Sequence, residues 1–296
     1  MIKPAFSVTL FMVVALGLLW GLNWPAVKFM LSEIPPLTLR AGGFSLAAVA
    51  LLLIASGIGH RLKPAKGEVF SLILASVFIV FGFNILTALG QLFTPASNAA
   101  IIAYTMPSIT AVLSVVFLGE VLHRRLVMAI CIGLAGLAVL ASTNLAALVA
   151  APLGPAIMLC AALSWSIGNI VMQTRKWTLS PLARAAWFFV ISALLTWPLV
   201  LFFEPLKDFR PPSPASLWIF TFHVAGPMVT CYVLWTILLG RLSATIAAIS
   251  TLIAPVVGVL SSVLLLNESL SWQKAIALLL IVTSIAMTLV RPAEQT

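Results

Sequence analysis

Residues 105–122 read "TMPSITAVLSVVFLGEVL" and residues 252–270 read "LIAPVVGVLSSVLLLNESL". Each stretch holds a proline inside an apolar run and a glutamate thirteen residues further on, Pro107 with Glu120 and Pro255 with Glu268. Aligned at a shift of 148, residues 99–122 and 247–270 are identical at nine of 24 positions, namely Ala99, Ala100, Ile101, Pro107, Ser114, Val115, Leu118, Glu120 and Leu122. Chance matching in a chain so rich in Ala, Leu and Val would give about three. Trp20 pairs with Trp165 and Pro36 with Pro181 at a shift of 145, and a longer loop after the seventh apolar stretch absorbs the difference. Two copies of one unit are therefore expected, residues 1–146 and 147–296.

The medium in which these copies fold is set by composition. The 296 residues are 62% hydrophobic and 8% charged, with seven acidic side chains in all, whereas an ordinary soluble domain is about 25% charged. Apolar stretches so many and so long cannot all serve as one another's core, so most of them face lipid in an all-α polytopic membrane protein. The net charge of +9 comes from basic residues scattered between apolar runs, with no stripe or block, and this argues against a nucleic-acid partner. Cys131, Cys160 and Cys231 lie in apolar runs without a CxxC or a paired histidine, so no disulfide, metal or cofactor is expected. The first apolar run continues through "LLWGLNWPAVKFM" without a small-residue cleavage site, which reads as a retained helix rather than a removable signal.

At about 20 apolar residues per crossing, the sequence predicts ten helices, at 6–29, 37–57, 69–92, 95–119, 124–142, 153–174, 181–203, 215–239, 243–266 and 271–290. With the N-terminus in the cytoplasm, eleven basic residues fall on the cytoplasmic side. Five fall opposite, Lys28, Arg40, Lys207, Arg210 and Lys274, and the positive-inside rule then puts both termini in the cytoplasm. Five helices per copy is an odd number, so the second copy enters the membrane in the opposite sense. Inverted halves of this kind are how many secondary transporters open one midplane site to either side.

The "LWGLNW" of the first helix, "AAIIAYTMPSITAVLSVVFLGEVL" and "AAISTLIAPVVGVLSSVLLLNESL" resemble the paired signatures of the EamA family in the drug/metabolite transporter superfamily. Within it, the sequence is most similar to aromatic amino-acid exporters of the YddG type. The resemblance covers nearly the whole chain. It implies an inverted five-plus-five repeat and export of small solutes across a bacterial inner membrane.

Polar and aromatic residues inside the spans are the candidates for the path, because a polar group facing lipid is costly and turns inward. Helical spacing puts Trp20, Asn23 and Trp24 on one face of the first helix and Trp165 and Asn169 on one face of the sixth. As Trp20 and Trp165 are repeat-equivalent, these faces are expected to meet. Asn84 on the third helix, Tyr104 on the fourth, and Tyr232 and Trp235 on the eighth complete the expected substrate-binding set. Its aromatic faces, amides and hydroxyls make a neutral lining suited to amino acids with apolar or aromatic side chains. Helix packing is the plainer role for the same Trp and Asn side chains.

Two readings are open for Pro107 and Pro255, hinges or fixed kinks. Two are open as well for Glu120 and Glu268, gates on opposite sides or interfacial carboxylates near Arg124 and Lys274. His223 is read as an interfacial histidine, which leaves proton antiport and facilitated diffusion both standing. No HExxH, GxSxG, P-loop or carboxylate cluster is present, so an enzyme is not expected. The expected protein is a monomer in the lipid bilayer that exports neutral, aromatic amino acids by alternating access. An exporter of drugs or other metabolites is the alternative.

Overall fold

The computed structural model describes residues 4–119, 124–142, 152–204, 211–241 and 244–289, which leaves Glu120 outside them. Among the described residues every regular element is helical, as a lipid setting demands, since each segment there must satisfy its own backbone. In chain order the helices are α1 (Pro4–Met30), α2 (Pro36–Gly57), α3 (Lys66–Phe93), α4 (Ala96–Leu118) and α5 (Arg124–Ala141). They continue with α6 (Leu153–Gln173), α7 (Pro181–Phe203), α8 (from Pro214–His223 through Cys231–Arg241), α9 (Ala244–Leu266) and α10 (Trp272–Leu289). Seven of these segments are long and apolar enough to cross a membrane. The apolar parts of α5, α9 and α10 are shorter among the described residues.

Helix starts follow local chemistry. Pro36, Pro181 and Pro214 stand in first turns, where a missing N–H costs nothing. Ser180 and Ser213 cap α7 and α8 by accepting from the backbone N–H of Ala183 and Ser216.

Other helix starts receive a carboxylate from a distant part of the chain. Glu204, at the end of α7, accepts from the N–H of Leu37 and Thr38 at the start of α2, at 2.9 and 2.7 Å. Glu268, after α9, accepts from the N–H of Ala96 and Ser97 at the start of α4, at 2.7 and 3.1 Å. Glu33 takes the N–H and hydroxyl of Ser213 before α8, and the Ser213 N–H is the main reason its carboxyl is held below the usual carboxylate range. Glu68 takes those of Thr178, just ahead of α7. These four carboxylates tie the two halves together at helix N-termini, where orphan N–H groups and the helix dipole favour negative charge.

Three helices depart from regular geometry. α3 and α8 each widen into a π-helical stretch, Ser76–Gly82 and Val224–Thr230, and these are the same seven positions at the shift of 148 found in the sequence. In α8 the ladder is interrupted by Pro227. In α3, Ser164 of α6 donates to Phe78 O at 2.7 Å, and a Cβ added to Gly168 of α6 would lie 2.9 Å from Ile79 N, so α6 lies directly against the widened turn. α4 is split into Ala96–Ala103 and Met106–Leu118. Pro107 stands in the first turn of the second piece, and the break falls at Tyr104 and Thr105, just ahead of the proline whose missing N–H would have reached the Ala103 carbonyl. Pro255 does lie inside a helix assigned without interruption, α9.

The main contacts are α1 on α9, α2 on α7, α3 on α6, α4 on α6 and α5 on α10. Exchanging the halves turns α1–α9 into α6–α4 and α3–α6 into α8–α1, and these pairs also touch. Large apolar side chains such as Phe11, Leu53, Phe70, Phe202, Trp218 and Leu264 are exposed on the outside, while Arg40, Asn84, Thr87, Gln91, Asn169 and His223 are buried inside. Polar groups within and apolar groups without are the arrangement of a lipid-embedded bundle.

Candidate functional site

Four of the expected residues form one cluster between α1, α6 and α8. The ring of Trp20 (α1) stands edge-on to Trp165 (α6) at a centroid distance of 5.6 Å, and it lies 5.6 Å from Trp235 and 6.1 Å from Tyr232, both on α8. Trp165 closes the group at 6.0 Å from Tyr232 and 6.1 Å from Trp235. Edge-to-face and tilted contacts at these distances are the favourable ones for aromatic rings. Two rings not named from the sequence extend the cluster, Phe83 at 4.9 Å from Trp165 and Phe189 at 5.0 Å from Tyr232. Phe83 precedes Asn84 in the chain, and that adjacency was the available signal.

The polar atoms around the rings fall into two groups. Some are engaged: Trp20 Nε1 donates to Pro227 O at 3.3 Å, and Asn84 Nδ2 donates to the Tyr232 hydroxyl at 2.9 Å. Tyr232 in turn reaches Ile79 O at 3.4 Å. Ile79 and Pro227, which supply carbonyls from the two widened turns, are themselves equivalent at the shift of 148, as are Asn84 and Tyr232. Two more buried atoms have no hydrogen-bond partner among the described residues: Trp235 Nε1, on one of the rings, and Asn169 Oδ1, one helical turn from Trp165 on α6.

Trp24 and Tyr104 form a separate pair, 6.2 Å apart. Both are buried, and a Cβ on Gly258 of α9 would come within 2.8 Å of Trp24. The face of α1 thus divides, with Trp20 and Asn23 toward α6 and α8, and Trp24 toward α4 and α9. Glu268 pairs with Lys274 at 3.8 Å as well as capping α4. Glu120, its repeat mate, lies outside the described residues.

Asn23 leads to the largest revision. Its Oδ1 lies 2.6 Å from His223 Nδ1, and His223 Nε2 lies 3.0 Å from Arg40 Nη1. A guanidinium carries donors and no acceptor, so His223 Nε2 accepts from Arg40 and the ring proton sits on Nδ1, which donates to Asn23. Arg40 also donates through Nε to Asn84 O at 2.9 Å and through Nη2 to Thr87 Oγ1 at 3.3 Å.

Arg40 is 1% exposed and His223 0%. Both side chains are enclosed by protein rather than set at the surface, which corrects the expectation of an interfacial histidine, and the neutral lining has a cation one residue behind it. Both residues fall inside the apolar stretches 37–57 and 215–239 predicted from the sequence. An ionisable group within a span already marks an interior position, and that signal was present.

The model of the EamA-like transporter family matches residues 7–142 and again 152–290. The chain belongs to the EamA-like transporter family. As an EamA-like protein it is a multi-pass membrane transporter with two family repeats, and its relatives agree. The "Uncharacterized transporter YoaV" of Bacillus subtilis (strain 168) is 25% identical over 93% of this chain and 94% of its own length. A "Probable amino-acid metabolite efflux pump" of Escherichia coli (strain K12) is 28% identical over 90% and 89%. A crystal structure of a protein 22% identical in sequence aligns with a TM-score of 0.69 over 95% of this chain and 96% of that one, a likeness of fold.

Proposed function

We propose that this EamA-like transporter is a monomeric exporter of neutral amino acids, the aromatic ones foremost, in a bacterial inner membrane. It has ten crossings, both termini in the cytoplasm, and two inverted five-helix halves that expose one central site to each side in turn. The observation that carries the reading is the ring cluster of Trp20, Trp165, Tyr232 and Trp235, with Trp235 Nε1 and, one helical turn from Trp165, Asn169 Oδ1 both unpartnered among the described residues. Aromatic faces contribute contact area for an apolar or aromatic side chain. Buried polar atoms without partners favour a ligand that brings complementary groups, here a donor such as an ammonium for the Asn169 carbonyl and an acceptor for the Trp235 N–H.

Inversion is supported by the pairs in contact. Trp20 touches its equivalent Trp165, and Asn84 donates to its equivalent Tyr232. Equivalent residues meet each other where a twofold axis passes between them, and an axis in the membrane plane relates halves of opposite orientation. The efflux pump of Escherichia coli, by its name, supports amino-acid metabolites as cargo.

The test is uptake of radiolabelled phenylalanine, tryptophan, threonine and methionine into proteoliposomes holding the purified protein, with and without an imposed pH gradient. Saturable uptake of phenylalanine and tryptophan, competed by unlabelled amino acids, is expected. Uptake competed only by bulky drugs, or none of any amino acid, would overturn the cargo.

A further inference from the structure

We propose that Arg40 is the binding group for the carboxylate of the transported solute, and that His223 and Asn23 hold its place when no solute is bound. This rests on the reading of the ring cluster as the substrate site and extends it to a charge requirement: the solute must be an anion at one end.

Arg40 is the largest fully buried side chain among the described residues. Burying an isolated cation is expensive unless it is paired, yet its three hydrogen bonds go to neutral acceptors, the Asn84 carbonyl, the Thr87 hydroxyl and the His223 ring. No salt bridge to Arg40 occurs among the described residues. The four carboxylates described, Glu33, Glu68, Glu204 and Glu268, are engaged at helix N-termini elsewhere. The second deeply buried guanidinium, Arg184, is differently placed, stacked on Trp177 at 5.3 Å. Arg40 is thus a buried cation whose counter-charge is missing from the described protein.

The location supplies the ligand's other end. Asn84, whose carbonyl takes Arg40 Nε, donates its amide to the Tyr232 hydroxyl, and Tyr232 belongs to the ring cluster. Asn23, whose Oδ1 takes the His223 proton, is half-buried and one helical turn from Trp20. The guanidinium is therefore one residue behind the aromatic rings on two routes. A carboxylate is the better partner for it: guanidinium and carboxylate pair in parallel hydrogen bonds stronger than those to neutral acceptors. A carboxylate that takes the Nη1 hydrogen bond from His223 releases the His223 ring and with it Asn23, a link between α1, α2 and α8.

The test is binding to the detergent-purified full chain, read as ligand-induced shift in melting temperature over a concentration series. The three probes share a phenyl ring: L-phenylalanine, 3-phenylpropionate, which keeps the carboxylate and lacks the amine, and phenethylamine, which does the reverse. L-Phenylalanine and 3-phenylpropionate should stabilise the wild-type protein and phenethylamine should not. Arg40→Lys should weaken the carboxylates about tenfold, and Arg40→Gln should abolish the shift.

Stabilisation of the wild-type chain by phenethylamine equal to that by phenylalanine would overturn the proposal without any variant, as would full affinity in a folded Arg40→Gln protein. In both cases amino-acid export survives if phenylalanine is taken up. Binding of 3-phenylpropionate alone, lost with Arg40, would uphold Arg40 and overturn the amino-acid reading. No shift with any probe would overturn both.

Discussion

Among the described residues, Trp235 of the ring cluster and Asn169, one helical turn from Trp165, each carry a buried polar atom without a partner. Deleting an atom that makes no hydrogen bond in the folded protein removes little stability, while deleting one that binds cargo costs about 1 kcal/mol or more, near a tenfold loss of affinity. Asn169→Ala should therefore shift the melting temperature by no more than a few degrees and weaken phenylalanine uptake about tenfold. Wild-type uptake in this variant would take α6 off the path. Much of the site was legible because Trp and Asn are conspicuous in apolar helices and their spacing selects a face. Arg40 and His223 were misread because their role depends on what three other helices place beside them, which spacing along one helix does not reveal.

The helices themselves followed from runs of apolar residues, and their departures from regularity did not. Pro107 and Pro255 are equivalent in sequence, yet one opens the second piece of a divided α4 and the other sits within α9. In a first turn the missing N–H has no partner to lose, whereas inside a helix it leaves a carbonyl free and a soft point. Pro255→Ala should therefore slow turnover several-fold with little change in apparent affinity, and Pro107→Ala should do less. Kinetics in which both variants match wild type would reduce Pro255 to a fixed bend. The widened turns in α3 and α8 carry no such sequence mark in common. Pro227 explains one, while the other arises from Ser164 and Gly168 on a neighbouring helix, a cause visible only once α3 and α6 are together.

For the whole molecule, the contacts of one half are repeated by the other, and the carboxylates of Glu33, Glu68, Glu204 and Glu268 fasten helix starts of one half to segments of the other. Under the proposed alternating access, such an assembly exchanges two conformations with the cargo held between the equivalent helices α1 and α6, whose Trp20 and Trp165 meet. The sequence repeat foretold two family units, which the matches at 7–142 and 152–290 show; inversion is the proposal that an odd number of helices per unit supports. Which end is open cannot be read from a repeat, since both halves encode the same parts.

The central claim is that one site between the halves opens to each side in turn. The measurement is labelling of Asn169→Cys, in a background with Cys131, Cys160 and Cys231 replaced by serine, by a membrane-impermeant thiol reagent added to one side of oriented proteoliposomes and then to the other. The account predicts labelling from both sides, with phenylalanine protecting against each at concentrations raised to offset the about tenfold weaker binding expected without the Asn169 amide. Labelling from one side alone under every condition, or none from either, would contradict it.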